Sequence, residues 1–508
     1  MDITNLTEFA SLWRVMLLAP LLLGGLFVLT RIAYNIFLHP LRHHPGPKLW
    51  AATRLPWCWN QYRGRLNHRL VQLHAEYGST LRVAPDEISY NSETAWRTIY
   101  GHRAIEMKKD PIFSLVTPTG VPNIMTADRM THSRHRRLLS HAFSEKALRE
   151  QEGELVKYCA KLLAQLEVEA AKGPVDLAEW YHLTTFDLIG SLAFGEDFSC
   201  VDTGKAHPFV ASIKSVSREL IMSQMSKYYG INALRNWFLK GSTTSRVANA
   251  HRAREMVESR IARGPTSSRR DFWHYVLAAD DTKSGDKDRS LSLDEMVVNA
   301  FSIAIAGSDG TATALTATTF LLLTHQHVYQ QLRDSIRTAF ELEEDIISTA
   351  LAGDRIPLLD AVINEAMRLY PPVAVTLPRV IPPWGATIDG LFVPAGTTVG
   401  ANHLSTYYSP ANFHRADEFV PERWLEDEQQ TSDVRASFQP FSTGPRSCLG
   451  KNLAKAEMRL ILARILWRFD LELESECVDW IKGQRIYGFW VKPPLMCKLS
   501  ARPVGSEA

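Results

Sequence analysis

Apolar positions recur at helical spacing in four long stretches, around Leu138–Leu166, Leu293–His325, Leu358–Leu369 and Leu449–Phe469. Residues three and four apart share a helix face, so these stretches predict helices that turn an apolar side inward. Short β-branched runs, Val380–Ile388 and Thr397–Val399, lie between them and read as strands of small sheets. After Pro47 no Gly/Ser linker, low-complexity run or internal repeat breaks the pattern. The prediction is a mainly α fold with small β-sheets, one large domain over residues 49–508. That exceeds the usual size for one core, which implies that the domain wraps around something.

The N-terminus is patterned differently. Val15 to Thr30 carries no charge, and apolar character resumes after Arg31 up to Leu38. As a helix, Val15–Leu38 would span ~36 Å, enough to cross a bilayer with Arg31 snorkelling. No small-residue cleavage site follows cleanly, so residues 1–38 are expected to be an uncleaved membrane anchor. Arg31, Arg42, Lys48 and Arg54 follow the segment, against Arg14 alone before it. The positive side stays in the cytosol, which predicts a single-pass protein of the endoplasmic reticulum membrane with its body facing the cytosol. Residues 39–48, rich in Pro and His, are expected to be a stiff linker.

Composition narrows the chemistry. The 508 residues include 57 Lys+Arg and 55 Asp+Glu, so bulk charge gives no reason to expect nucleic acid as a partner. Six cysteines without CxxC spacing argue against a disulfide framework or zinc ribbon and for a reducing compartment. GxGxxG, HExxH and GxSxG are absent. Gly444 to Gly450-Lys451 misses the phosphate-loop pattern, having five residues between the glycines and Asn452 after the lysine.

The segment Phe441-Ser442-Thr443-Gly444-Pro445-Arg446-Ser447-Cys448-Leu449-Gly450 is the informative one. Its glycines permit close backbone approach, so the loop can lie against a planar group. Cys448 precedes a predicted helix, whose N-terminal N–H groups favour a thiolate. Arg446 is placed to meet an anion. A thiolate, clearance and a cation for carboxylates together describe a haem seat. This segment resembles the haem-binding signature FxxGxRxCxG of the cytochrome P450 family, in particular its membrane-anchored fungal members.

The resemblance runs from about Pro45 to Ser500 and implies several roles. Cys448 would be the axial ligand of haem b and the metal-binding residue, with Phe441 shielding the sulfur, Arg446 on a haem propionate, and Gly444 and Gly450 giving clearance. Glu365-Ala366-Met367-Arg368, the one ExxR in the chain, and Arg423 in Pro421-Glu422-Arg423-Trp424 match the family's buried network behind the haem. His132 and Arg136, four apart, match a pair facing the propionates, and Arg379 matches a further propionate contact.

The capping box Ser292…Glu295 starts a helix of about 30 residues. In its middle lies Ala304-Ile305-Ala306-Gly307-Ser308-Asp309-Gly310-Thr311. Two interior glycines each cost ~1 kcal/mol relative to Ala, which implies that something flat approaches the helix. In the family this is the oxygen-binding groove. Ala306, Gly307 and Asp309 match its pattern, but Gly310 replaces the threonine whose hydroxyl helps deliver protons. Thr311 is turned ~100° away around the helix and is no simple substitute. The catalytic candidates are therefore Asp309 as proton relay, Gly310 with a water or a substrate hydroxyl in the space above it, and Thr311.

Phe301, Ile305, Val373–Leu377 and part of Phe113–Val121 would line an apolar pocket for a medium-sized terpenoid, polyketide or alkaloid. The function implied is NADPH-dependent monooxygenation (hydroxylation, epoxidation or ring formation) in secondary metabolism, by a monomer. About 60 residues follow Cys448, too few for a flavin domain, so a separate membrane-bound NADPH–cytochrome reductase is expected as electron donor. It would dock where Arg446, Lys451 and Lys455 offer positive charge. The rival readings are an isomerase or dehydratase needing neither O2 nor reductase, and a non-catalytic haem sensor or carrier.

Overall fold

The computed structural model describes residues 3–103, 106–113, 120–207, 221–231, 240–264, 270–279, 290–351, 355–425 and 432–502. Helix α1 (Ile3–Ala33) runs into a π-helical turn, Tyr34–Leu38. Within them Leu18–Leu38 has a mean hydropathy of 1.8 and is long enough to cross a membrane. Leu21, Leu22 and Phe27 point outward, unburied by the rest of the chain.

Residues 39–48, the expected stiff linker, are docked on the body of the protein. Leu41 is fully buried beside Ile88 and Trp96. Arg82 N donates to Pro45 O at 2.7 Å, and Arg82 Nη1 donates to Asn35 O at 3.0 Å. The segment docks because its prolines leave one apolar side chain to bury and carbonyls free to accept.

Short helices α2 (Lys48–Ala52), α3 (Leu55–Tyr62) and α4 (Leu66–Tyr77) pack on the hairpin β1 (Thr80–Ala84) and β2 (Glu87–Tyr90). With β3 (Lys108–Lys109), β5 (Arg379–Val380) and β8 (Thr398–Ala401) these form a sheet of order β1-β2-β8-β5-β3, parallel only at β2–β8. A second sheet pairs β4 (Val175–Asp176), β12 (Met496–Ala501) and β9 (Phe469–Leu473); hairpins β6–β7 (Ala386–Ile388, Leu391–Val393) and β10–β11 (Arg485–Ile486, Trp490–Val491) complete the strands.

Helices form the bulk. After α5 (Glu93–Tyr100) and α6 (Arg129–Ser140) come α7 (Glu145–Ala170), α8 (Leu177–Phe194) and the single turn α9 (Cys200–Thr203). Then follow α10 (Lys240–Ala262), α11 (Phe272–Ala279), α12 (Leu293–Thr324), α13 (Gln326–Ala339), α14 (Pro357–Leu369), α15 (His403–Tyr407) and α16 (Lys451–Arg468). The predicted capping box starts α12: Ser292 Oγ accepts from Glu295 N at 3.3 Å, and Glu295 Oε2 accepts from Ser292 N at 2.9 Å. Being apolar nearly all round, α12 is a core helix. It lies along α8, with Tyr181 OH and Thr319 Oγ1 2.8 Å apart and Thr185 Oγ1 donating to Ser308 O at 3.0 Å. Helices α7, α8, α12, α14 and α16 share one hydrophobic core, and the cysteine loop enters α16 at its edge.

Candidate functional site

The loop before α16 is shaped by two left-handed residues, Ser442 (φ 56°) and Gly444 (φ 74°), and closed by Cys448 N donating to Phe441 O at 2.8 Å. A Cβ on Gly444 would lie 2.0 Å from Tyr100 O. Gly444 therefore serves the approach of α5, not clearance for a planar ligand, which corrects its expected role. Gly450, at the head of α16, does leave clearance: a Cβ there would meet only Phe143, at 3.8 Å.

Five of the six cysteines are buried; Cys448 is exposed. Burial is nevertheless the largest influence on its thiol and pushes the pKa up, while the Gly450 N–H, Arg136 and Lys451 pull it down. A thiol both accessible and deep lines an internal opening.

The facing wall comes from α12. Ala306 is exposed, although Ala304 and Ser308 beside it are buried. Nothing lies within 4 Å of where a Gly310 Cβ would stand, so space opens there. Gly307 differs from expectation. Its Cβ would meet Ile189 at 2.8 Å, so that glycine lets α8 pack closely. Thr311 is also corrected: it is 4% exposed, and its hydroxyl bonds Glu457 of α16 rather than facing the opening. Burial lifts the Glu457 pKa to about 8, and its Oε2 has no partner. Asp309 Oδ1 accepts from Lys492 Nζ at 3.0 Å.

Around the opening positive charge is crowded. His132 is pressed down to about 3, first by burial and then by Arg446, Lys109 and Arg136. Lys109 is brought down to about 7 by burial, Arg446 and Arg379. Burial and Arg446 also lower Arg379, which pairs with Lys109 across β3–β5. Arg446 bonds Glu106 and donates to Ala127 O at 2.8 Å. Glu106 is the carboxylate bonded to Arg446 in this group, so the cations outnumber their anionic partners. The chemistry of these residues, a thiol, crowded cations and open space at Gly310, suits a group that carries a metal for the thiol and carboxylates for the cations, as haem does.

Arg136, expected on a haem carboxylate, reaches the cysteine loop itself. It donates to Ser447 O at 2.6 Å and Ser447 Oγ at 3.2 Å, clamping the cysteine loop. The charge expected for a docking face is also redistributed. The Arg446 side chain is 9% exposed and already paired, whereas Lys451 is exposed.

The ExxR pair is buried as predicted. Glu365 accepts from Arg368 at 2.8 and 2.9 Å, Arg423 Nε at 3.1 Å and Trp424 Nε1 at 2.9 Å. Asp433 completes the network by pairing with Arg423. A buried carboxylate stays ionised only when so surrounded.

Phe301, Ile305 and Val375 are half-buried and apolar, and Phe113 is half-buried; residues 114–119 of the expected lining lie outside the described residues. Sequence reasoning missed Lys109, Glu106, Glu457 and Lys492. Glu457 had a signal, a carboxylate on the helix face of Leu453, Leu460 and Ile461. Lys492 had none, lying 183 residues from Asp309.

The family model described as Cytochrome P450 matches residues 45–496. Averantin hydroxylase of Dothistroma septosporum is 40% identical over 491 residues, covering 94% of this chain and 90% of its own. Cytochrome P450 monooxygenase stcF of Emericella nidulans is 39% identical, covering 96% and 100%. Versicolorin B desaturase stcL of the same fungus is 38% identical, covering 94% and 96%.

Proposed function

Since the chain belongs to the cytochrome P450 family, we propose that Cys448 would hold the iron of its haem and that the opening between Cys448 and Ala306 is its active site. The protein is a monooxygenase of the fungal secondary-metabolism type, using haem b and NADPH electrons delivered by a reductase. Bound haem supplies thiolate-supported activation of O2. The chain's residues do the rest. Arg379, Arg446 and Lys109 would balance the charge of the haem carboxylates, His132, an uncharged imidazole there, would offer them a hydrogen bond, and Arg136 fixes the cysteine loop through Ser447. Phe441 shields the sulfur, and Gly450 and Ala306 leave room on the two faces. Asp309, oriented by Lys492, handles protons through a water or substrate hydroxyl in the space over Gly310. Glu365, Arg368 and Arg423 hold the frame.

The substrate is a small, largely apolar ring compound, and the reaction a hydroxylation or desaturation; two relatives are named for those two outcomes. Leu18–Leu38 anchors a monomer in the endoplasmic reticulum membrane with the body in the cytosol, where Lys451 faces the reductase.

The observation that carries this reading is the accessible Cys448, together with the open space at Gly310. Reduced protein with CO tests it: the family's thiolate-type band is expected, and Cys448→His should abolish it while haem is still bound. A band of imidazole type in the unaltered protein would sink the assignment. The absent hydroxyl at Gly310 favours one second reading, an isomerase or dehydratase. Product formed without NADPH and reductase would select it.

A further inference from the structure

Apart from the Cys448 opening, a cavity of about 60 Å³ lies between α3, α4, the β1–β2 hairpin and residues 221–228, with Val375, Thr376 and Pro378 closing one side. At ~10–15 Å³ per water on that measure it holds several waters, so it takes one end of a ligand and not a whole one. Its walls are mostly apolar, but two polar atoms in the lining residues are unsatisfied. Among the described residues, Gln61 Oε1 and Asn67 Nδ2 have no hydrogen-bond partner, though their residues are 7% and 2% exposed. An orphaned buried acceptor or donor costs about 1–3 kcal/mol, so a pair beside one cavity points to a ligand that completes it.

The ligand's chemistry follows from the pair. The lining then calls for groups that donate, to Gln61, and accept, from Asn67; a hydroxyl does both, whereas an ether or ketone only accepts. Charge selects a neutral one. Glu87 in the wall and nearby Asp86 both pair with Arg54, so that cation is already matched. A carboxylate or phosphate is disfavoured. Aromatic surface is at hand in Trp57 and in Tyr228, whose ring lies 4.0 Å from the Arg54 guanidinium carbon.

The cavity also adjoins the expected substrate pocket. Val375 and Thr376 belong to the stretch expected to wall the substrate pocket. Leu55 and Trp59 of α3, and Tyr229 and Ile231 beyond residue 228, put apolar side chains on the surface of the elements that enclose it. We infer that this cavity is a recognition subsite for a neutral alcohol or phenol on an aromatic substrate, which anchors that end and thereby selects the carbon presented for oxidation. The inference rests on the monooxygenase reading above.

Full-length haem-loaded protein in nanodiscs is titrated with 2-naphthol and with 2-methoxynaphthalene, binding being followed by equilibrium dialysis. The naphthol is expected to bind about tenfold more tightly. Gln61→Met should reduce that preference to less than about threefold without lowering Tm, because it removes an orphaned acceptor. Gln61→Glu, which keeps an oxygen there, should retain the preference. Equal affinities in the unaltered protein, weak binding of both included, or a preference unchanged in Gln61→Met, would overturn the subsite. The reduced-CO band of the same preparation separates the two readings. Its absence defeats the haem-thiolate assignment, and its presence with equal affinities defeats the subsite alone.

Discussion

Lys492 Nζ stands 3.0 Å from Asp309 Oδ1, tying the loop after β11 to the middle of α12 with side chains only 12% and 17% exposed. The same ammonium donates to Thr313 Oγ1, whose hydroxyl donates to Asp309 Oδ2 at 3.4 Å. Asp309 is thus held from two directions, a constraint on the carboxylate proposed to handle protons.

Lys492→Met removes the cation. Product formed per NADPH is expected to fall several-fold, with excess peroxide, while the reduced-CO band is unchanged. The unpaired, largely buried carboxylate should also cost about 1–3 kcal/mol of stability. Unchanged coupling together with lowered stability would leave Asp309 a purely structural residue.

The two glycines of α12 should respond in opposite directions. Gly310→Ala places its methyl in open space and should gain ~1 kcal/mol of helix stability. Gly307→Ala drives a methyl to 2.8 Å from the Ile189 side chain, which is 2% exposed. Overpacking of that kind costs about 1–3 kcal/mol and should outweigh the helix gain. Thermal unfolding of the two variants checks both signs. Gly310→Thr should keep or improve coupling of NADPH to product; loss of product with coupling unchanged would speak against a water in that space.

What the sequence disclosed was what lies close together along it. The cysteine loop, the capping box of α12 and the Glu365–Arg368 pair are each set by spacings of ten residues or fewer, and periodicity marks the helices they stand on. Partners brought together by tertiary packing were not legible. Glu106 meets Arg446 across 340 residues, and Lys492 meets Asp309 across 183. Glycine was legible as a position but not as a role. Gly444 and Gly307 accommodate the Tyr100 backbone and Ile189, neighbours that no local pattern names.

Glu457 gives the protein a pH dependence of known sign. Its pKa is raised from 4.5 to about 8 in the fold, so between those values the native state holds a proton that the unfolded chain has released. Stability from this group is full below 4.5 and is lost as pH rises through about 8. Gln in its place mimics the protonated form and does not titrate. The Tm advantage of Glu457→Gln over the unaltered protein is expected to be small at pH ~5 and to grow to about 2–6 °C near pH ~8.5. A constant difference across that range would mean that Glu457 is ionised throughout. Thr311→Val, which strips the hydroxyl bonded to Glu457, should lower Tm and leave coupling intact.

Lys109 allows haem binding and protein stability to be separated. Without haem carboxylates its ammonium is opposed by burial, Arg446 and Arg379, which bring its pKa from 10.5 to about 7. Between those values the unfolded chain binds the proton and the native state does not, so the stability of haem-free protein should rise with pH across that range. Lys109→Met removes the strained charge. The haem-free variant should therefore melt higher than haem-free unaltered protein at pH ~7, the excess shrinking toward pH ~10. The haem-loaded variant, lacking one cation for the carboxylates, should surrender haem to apomyoglobin about five- to tenfold faster, as expected for one lost charge-assisted hydrogen bond. Opposite signs in the two forms are the decisive result. A variant less stable in both would show that the Lys109 stem matters for packing and that the haem carboxylates are held without it.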